Sequence, residues 1–188
     1  MQEQPETLAG WNKVYSEDAP EEQVAPDVSA PSAREPELKP AEAVEAFQAR
    51  GVRQGKAFDE QCRLVLQGLG FEVSDRPFTV ADLGVEFDAE VRSRSGRVFW
   101  CEFKGSWHGP RPGLRRTDTV KKALTDAFIA HAAEGDYPPT LFLTTHTPNP
   151  GSSGDRMLEV ALTSGALLDV INVNDPKDME RLQRLAQD

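Results

Sequence analysis

Apolar residues along this chain recur with two different periods, and the switches between them outline a fold. Over residues 41–71, Ala43, Val44 and Phe47, then Phe58, Cys62, Val65, Leu66 and Leu69, return at spacings of three and four, which predicts helix. Gly51 and Gly55 divide that stretch into two pieces, and Gly68-Leu69-Gly70 ends it before a short strand over 71–73. Strands follow over 86–91 and 97–104, joined by the turn SRSG, in which Gly96 supplies a permissive backbone. A Gly/Pro/Arg loop spans 105–114. The next helix, around 119–133, carries Val120, Ala123, Leu124, Ala127 and Phe128, with Thr117 or Asp118 suited to cap it. A strand over 140–145, a helix over 153–165, a strand over 167–173 and a helix over 175–186 complete the chain. Asp175-Pro176 reads as cap and first turn of the last helix, and Gly151-Ser152-Ser153-Gly154 as a turn with a helix cap. The order α-β-β-β-α-β-α-β-α predicts an α/β fold, a central mixed β-sheet flanked by helices, with parallel pairing in the later strand-helix-strand steps.

The strand period of two then assigns faces. In 97–104 it points Glu102 and Lys104 to one side and Phe103 to the other, and the hairpin brings Asp88 beside Glu102. Two carboxylates and one amine converge. Close carboxylates repel unless a hard divalent cation neutralises them, and oxygen donors of this kind suit Mg²⁺. With a lysine at hand to orient or deprotonate water, the implied chemistry is attack of water on a phosphodiester. An E-x-K tripeptide alone is weak evidence, since an exposed ionic ladder spells the same letters. This one is embedded in Val98, Phe99, Trp100, Cys101 and Phe103, where a charge needs either a function or a buried partner. Glu86 and Glu90 share the ideal-strand face of Asp88 and read as solvated or supporting acids.

Charge refines the picture through its distribution. The net charge is -10, but residues 1–45 hold eleven acids and three bases, so most of the acidity belongs to the amino-terminal segment. Residues 92–122 carry nine bases against Glu102 and Asp118. The one basic segment therefore surrounds the candidate site. Residues 1–40, rich in Pro, Glu, Ala and Ser, read as a disordered acidic tail, and 41–188 as one domain. Within the tail, Trp11 and Tyr15 offer a docking motif for a protein partner or mark a domain boundary. Cys62 and Cys101 read as buried free thiols, which fits a reducing cytoplasm. No apolar run approaches a membrane-spanning length, so no membrane association is expected.

The element order, Phe87-Asp88 on one strand and Glu102-Phe103-Lys104 on the next, resembles the PD-(D/E)XK nuclease superfamily, with its restriction endonuclease-like core, over roughly residues 52–173. The proline of the motif name is absent. Gly55-Lys56-Ala57-Phe58-Asp59-Glu60 is similar to the GxxFE opening of the first helix in resolvase-like and Mrr-like branches, which implies an acid at Asp59 or Glu60 that binds metal or positions water. Adjacent helical residues point about 100° apart, so only one of the two faces the site. The resemblance implies one or two Mg²⁺ ions, with Mn²⁺ as a substitute, held by Asp88, Glu102 and the Phe103 carbonyl, while Lys104 orients the attacking water.

The loop SWHGPRPGLRRTD and the helix after it supply Trp107, Arg111, Arg115, Arg116, Lys121 and Lys122, a set suited to DNA phosphates, with Trp107 free to stack on a base or pack the loop. The plain alternative is a solvated basic surface. His108, His131 and His146 lack the spacing of a zinc site. The leading expectation is a Mg²⁺-dependent DNA endonuclease of restriction, phage-related defence or DNA processing. A structure-specific resolvase or transposon-end nuclease acting as a homodimer, and a noncatalytic DNA-binding or assembly module, are the other readings.

Overall fold

The computed structural model describes residues 56–106 and 112–188. Helix α1 covers 56–69 of these residues and leads into β1 (Glu72–Val73), β2 (Phe78–Val80), β3 (Val85–Phe87), β4 (Ala89–Arg92) and β5 (Val98–Lys104). A short 3-10 turn, Gly113–Arg115, precedes α2 (Thr117–Ala132), β6 (Thr140–Thr144), α3 (Ser153–Ser164), β7 (Asp169–Asn172) and α4 (Pro176–Gln187). The acidic tail with Trp11 and Tyr15, the expected helix over 41–50, and the loop residues Trp107 and Arg111 lie outside the described residues.

Five strands form one mixed sheet in the order β1-β4-β5-β6-β7. The β1, β4 and β5 strands pair antiparallel, and β5, β6 and β7 pair parallel. The expected α/β fold with a central mixed sheet flanked by helices is therefore present. Its two most apolar runs, VFWCEFK and TLFLT, occupy the interior positions β5 and β6, where both faces are covered. Alternation sorts their side chains into two cores. Phe99, Cys101, Phe103, Leu141, Leu143 and Ile171 meet Phe58, Cys62 and Leu66 of α1 and Leu182 and Ala186 of α4. On the other face, Phe142 and Val170 meet Val120, Ala123, Leu124 and Ala127 of α2 and Leu158 and Ala161 of α3. Each such large apolar side chain contributes roughly 1.5–3 kcal/mol when buried, so the sheet is clamped from both sides.

The expected strand over 86–91 is two strands. Val85–Phe87 pairs with Phe78–Val80 in a separate two-stranded ribbon, whereas Ala89–Arg92 pairs in the main sheet, and the chain bends between them at Asp88. The apolar alternation of Val85, Phe87, Ala89 and Val91 runs straight through the bend, because each half is buried against a different partner. The ribbon is secured by Phe78, Phe87, Trp100 and Tyr137, with ring centroids 4.9 Å apart for Phe87 and Trp100. The Glu86-Asp88-Glu90 face expected of an unbroken strand is accordingly lost. Glu86 is exposed, and Glu90 accepts a hydrogen bond from Trp100 Nε1 at 3.3 Å.

Helix ends follow sequence chemistry in two cases and depart in one. Ser152 Oγ accepts the Asp155 N–H, Gly165 closes α3 at φ 81°, and Asp175 caps α4 ahead of Pro176. The α2 helix starts earlier than expected, with Arg116 in the cap position and no side-chain cap, because the Gly113–Arg115 turn feeds directly into it. Cys62 and Cys101 are buried free thiols. Among the described residues, no helix is long and apolar enough to cross a membrane.

Candidate functional site

The kink at Asp88 replaces a strand residue with a carboxylate. Ala89 sits opposite Cys101, and the Asp88 N–H still donates to the Cys101 carbonyl at 3.0 Å. Two residues further along β5, where the next ladder partner would stand, Asp88 Oδ2 instead accepts the Phe103 N–H at 2.7 Å. In a strand the N–H and C=O of one residue point to the same edge, so the Phe103 carbonyl lies on the edge that Asp88 occupies. On the adjoining face, Lys104 Nζ donates to Asp88 Oδ2 at 3.2 Å and to Glu102 Oε2 at 2.9 Å. The expected convergence of Asp88, Glu102 and Lys104 is thus a set of direct contacts at the end of the central strand.

Their burial sets the electrostatics. Glu102 is 4 % exposed. Removal from water, followed by a hydrogen bond with Asp88, raises its pKa to about 9 in spite of the neighbouring ammonium. For Asp88, burial pushes upward, but the hydrogen bond with Glu102, the Lys104 charge and the Phe103 N–H outweigh it and hold the carboxyl below its usual range. Burial alone lowers Lys104, yet the charges of Glu102 and Asp88 outweigh it and hold the amine above its ordinary value. The directions therefore diverge: burial favours a proton on Glu102, while Asp88 is held toward its carboxylate and Lys104 toward its ammonium.

Helix α1 approaches the same place. Phe58, Cys62 and Leu66 form its buried row, which leaves Asp59 half-buried beside the site and Glu60 exposed. Burial first, then the Asp88 charge, raises the Asp59 pKa, while Lys104 and Arg63 lower it. The choice between the two acids therefore falls on Asp59. Gly105, just past Lys104, permits this approach: a Cβ there would lie 2.3 Å from the Phe58 ring. Two neighbours were not anticipated. Asp126 of α2 is raised by burial and feels Lys104, Glu86 and Asp88. Arg63 of α1 donates to the carbonyls of Ser74 and Asp88. Asp126 gave no sequence signal beyond a polar row on a helix. Arg63 stands one turn after Asp59, but its acceptors are main-chain atoms that no residue letter reports.

Of the expected DNA-contacting residues, Arg115, Arg116, Lys121 and Lys122 are exposed at the start of α2. The turn that bears Arg115 docks beside the site. Leu114 N–H donates to the His146 carbonyl at 2.9 Å, and Thr144 Oγ1 donates to the Lys104 carbonyl at 2.7 Å, joining that turn to the ends of β6 and β5. Gly113, at φ 60°, allows the contact, since a Cβ would meet Thr144 Oγ1 at 2.7 Å. His146 lies at this end of the sheet as well, its pKa lowered by burial and by Arg115. Its Nδ1 has no hydrogen-bond partner among the described residues.

Surface depressions of about 380 and 610 Å³ lie near Arg181 and near Asp155, away from Asp88. Among the described residues, no group of three or more His, Cys, Asp or Glu side chains is arranged to hold a metal ion. The donors at the site are all oxygen: the carboxylates of Asp88 and Glu102, the Phe103 carbonyl on the same edge, and Asp59 at its margin. No family model matches the chain, and neither a curated protein nor a solved structure matches it.

Proposed function

We propose that this chain is a Mg²⁺-dependent deoxyribonuclease whose sheet is a restriction endonuclease-like core of the PD-(D/E)XK kind. The observation that carries the reading is the contact set at the end of β5, where a buried Glu102 and a kinked Asp88 share the one ammonium of Lys104. A purely structural ion pair at this depth is a poor source of stability, since desolvation of the charged groups offsets their attraction. Two carboxylates with an adjacent carbonyl fit Mg²⁺, which is commonly held by one or two carboxylates, with waters and substrate phosphates filling its remaining positions. Among the described residues no third side chain joins them in a metal-holding group, which is compatible with that ion.

When bound, Mg²⁺ would supply Lewis-acid stabilisation of the phosphoryl oxygens. Asp88 and Glu102 would hold it, with the Phe103 carbonyl as a further donor, and Glu102 would give up its proton on doing so. Lys104, held in its ammonium form, orients the attacking water and stabilises the charge that develops on the phosphate; it does not begin as the base. Water attacks phosphorus and the P–O bond to the leaving strand breaks; the water's proton passes to the Asp59 carboxylate or to solvent, the departing oxygen takes up a proton from solvent to become a hydroxyl, and the phosphate stays on the other new end. Asp59 is placed to accept a hydrogen bond from that water. Arg115, Arg116, Lys121 and Lys122, exposed at the start of α2, grip the backbone.

Purified full-length protein incubated with supercoiled plasmid tests the proposal. Nicking or linearisation with Mg²⁺, stopped by chelator and absent in Asp88→Ala and Lys104→Ala, is expected. Equal cutting by both variants would overturn the site, and neither cutting nor binding of any nucleic acid would overturn the function. Junction, flap and linear duplex substrates run side by side separate a general endonuclease from a structure-specific one.

A further inference from the structure

Two backbone carbonyls run out of strand partners where β4 begins. Ser74 closes the ladder between β1 and β4: its N–H donates to the Glu90 carbonyl at 2.9 Å and its Oγ accepts the Glu90 N–H at 3.0 Å. Beyond that point the Ser74 carbonyl and the Asp88 carbonyl both accept from Arg63, the first from Nη1 and the second from Nη2. Main-chain carbonyls withdrawn from water need donors, and the planar guanidinium, with five N–H groups in a fixed fork, can serve two at once. The same group lies 5.7 Å from the centre of the Phe103 ring. It therefore touches the residue before β4 and the residue between Glu102 and Lys104, from a helix whose buried row of Phe58, Cys62 and Leu66 packs on the sheet.

We propose that Arg63 is the positioning residue of this site: by holding the Asp88 carbonyl at the bend between β3 and β4, it aims the Asp88 carboxylate at the Phe103 N–H and at Lys104. Asp88 is restrained from two sides, its N–H by the Cys101 carbonyl and its C=O by Arg63. Without the second restraint the peptide after Asp88 can rotate. The carboxylate then leaves the Phe103 N–H, and the oxygen donors of the site no longer converge. The consequence for catalysis rests on the nuclease reading; the consequence for geometry does not.

The test is amide hydrogen exchange on the metal-free, full-length chain, comparing wild type with Arg63→Met, which keeps an apolar stem over Phe103, and Arg63→Lys, which keeps the charge without the fork. Exchange of the Phe103 amide is read as a ratio to the Leu143 amide of the interior strand β6 and the amide of the buried Ile171 on the edge strand β7, which corrects for any general loss of stability. The ratio is expected to rise by about tenfold or more in both variants, as local opening is uncoupled from global unfolding. An unchanged ratio in Arg63→Met overturns the proposal, and so does full restoration by lysine, which would make charge, and not the two-carbonyl grip, the cause. Calorimetric titration with Mg²⁺ supplies the second arm, with affinity expected to fall about 10–100-fold in Arg63→Met, as for residues that orient metal ligands. Wild-type affinity in that variant overturns the link from Arg63 to the oxygen donors. Failure of the wild type to bind Mg²⁺ or cut DNA overturns the nuclease reading, while the exchange ratio still decides the role of Arg63.

Discussion

Two clasps in this molecule use the same parts, one cation between two carboxylates, and reach different electrostatic states. On α4, Arg181 meets Asp169 through Nε at 2.9 Å and Nη2 at 3.0 Å, meets Asp178 through Nη1 at 2.6 Å, and also reaches the Val170 carbonyl. The remaining Asp178 oxygen accepts the Asn172 N–H at 2.9 Å. Donation to the Asp169 carboxylate above all drives the guanidinium further toward its charged form. At the end of β5, Lys104 offers one nitrogen to Asp88 and Glu102, and the Glu102 side chain is only 6 % exposed, against 14 % for Asp178. Asp59 and Asp126 add to the negative field there. The pKa of the Glu102 carboxyl there is pushed up to about 9, by burial first. A clasp with enough donors and some water holds α4 to the sheet; one short of donors and of water leaves Glu102 with a raised pKa.

That contrast can be broken most sharply through activity. Asp88→Asn, Glu102→Gln and Lys104→Ala should each lower Mg²⁺-dependent plasmid cutting at least about 100-fold, the scale of losing one transition-state electrostatic group, whereas Arg181→Met should retain cutting. Comparable losses at both clasps would erase the distinction.

Stability against pH comes next. Because the folded pKa of Glu102 is raised from 4.5 to about 9, its contribution is fully present below pH 4.5 and is lost as pH rises toward 9. One retained proton gives a slope of at most about 1.4 kcal/mol per pH unit. Denaturant titrations of metal-free protein at several pH values should show that decline, and Glu102→Gln should flatten it.

A smaller effect belongs to the other clasp. Arg181→Met should cost about 1–2 kcal/mol by chemical denaturation, the scale of charge-assisted hydrogen bonds discounted for a partly exposed group. Smallest is the choice of acid on α1. Asp59→Asn should slow cutting by roughly tenfold, less than the ~10²–10⁴-fold of a full general base, and Glu60→Gln should leave the rate unchanged.

The parts of this site that a strand period can express were legible in the sequence. Glu102 and Lys104 had to share a face once VFWCEFK was a strand, and Asp88 had to come near them once SRSG was a turn. The bend at Asp88 was not legible, since Val85, Phe87, Ala89 and Val91 alternate identically whether the strand is whole or broken. Only the competing partners, β2 for one half and β5 for the other, decide it. The first acid was legible to within one residue, and the burial of Phe58, Cys62 and Leu66 then turned Asp59 inward. Arg63 was out of reach because its role is defined by two carbonyls, and Asp126 because a polar row on a helix reads as a solvated face until it is packed.

The claim that the β5 clasp awaits a cation is tested most directly by titrating Mg²⁺ into metal-free protein at pH 7 by calorimetry, in two buffers of different ionisation enthalpy. A binding event that releases about one proton, as a raised carboxyl must when it becomes a ligand, and that vanishes in Asp88→Asn and Glu102→Gln, is the predicted result. No binding, or binding without proton release that survives both substitutions, would contradict it.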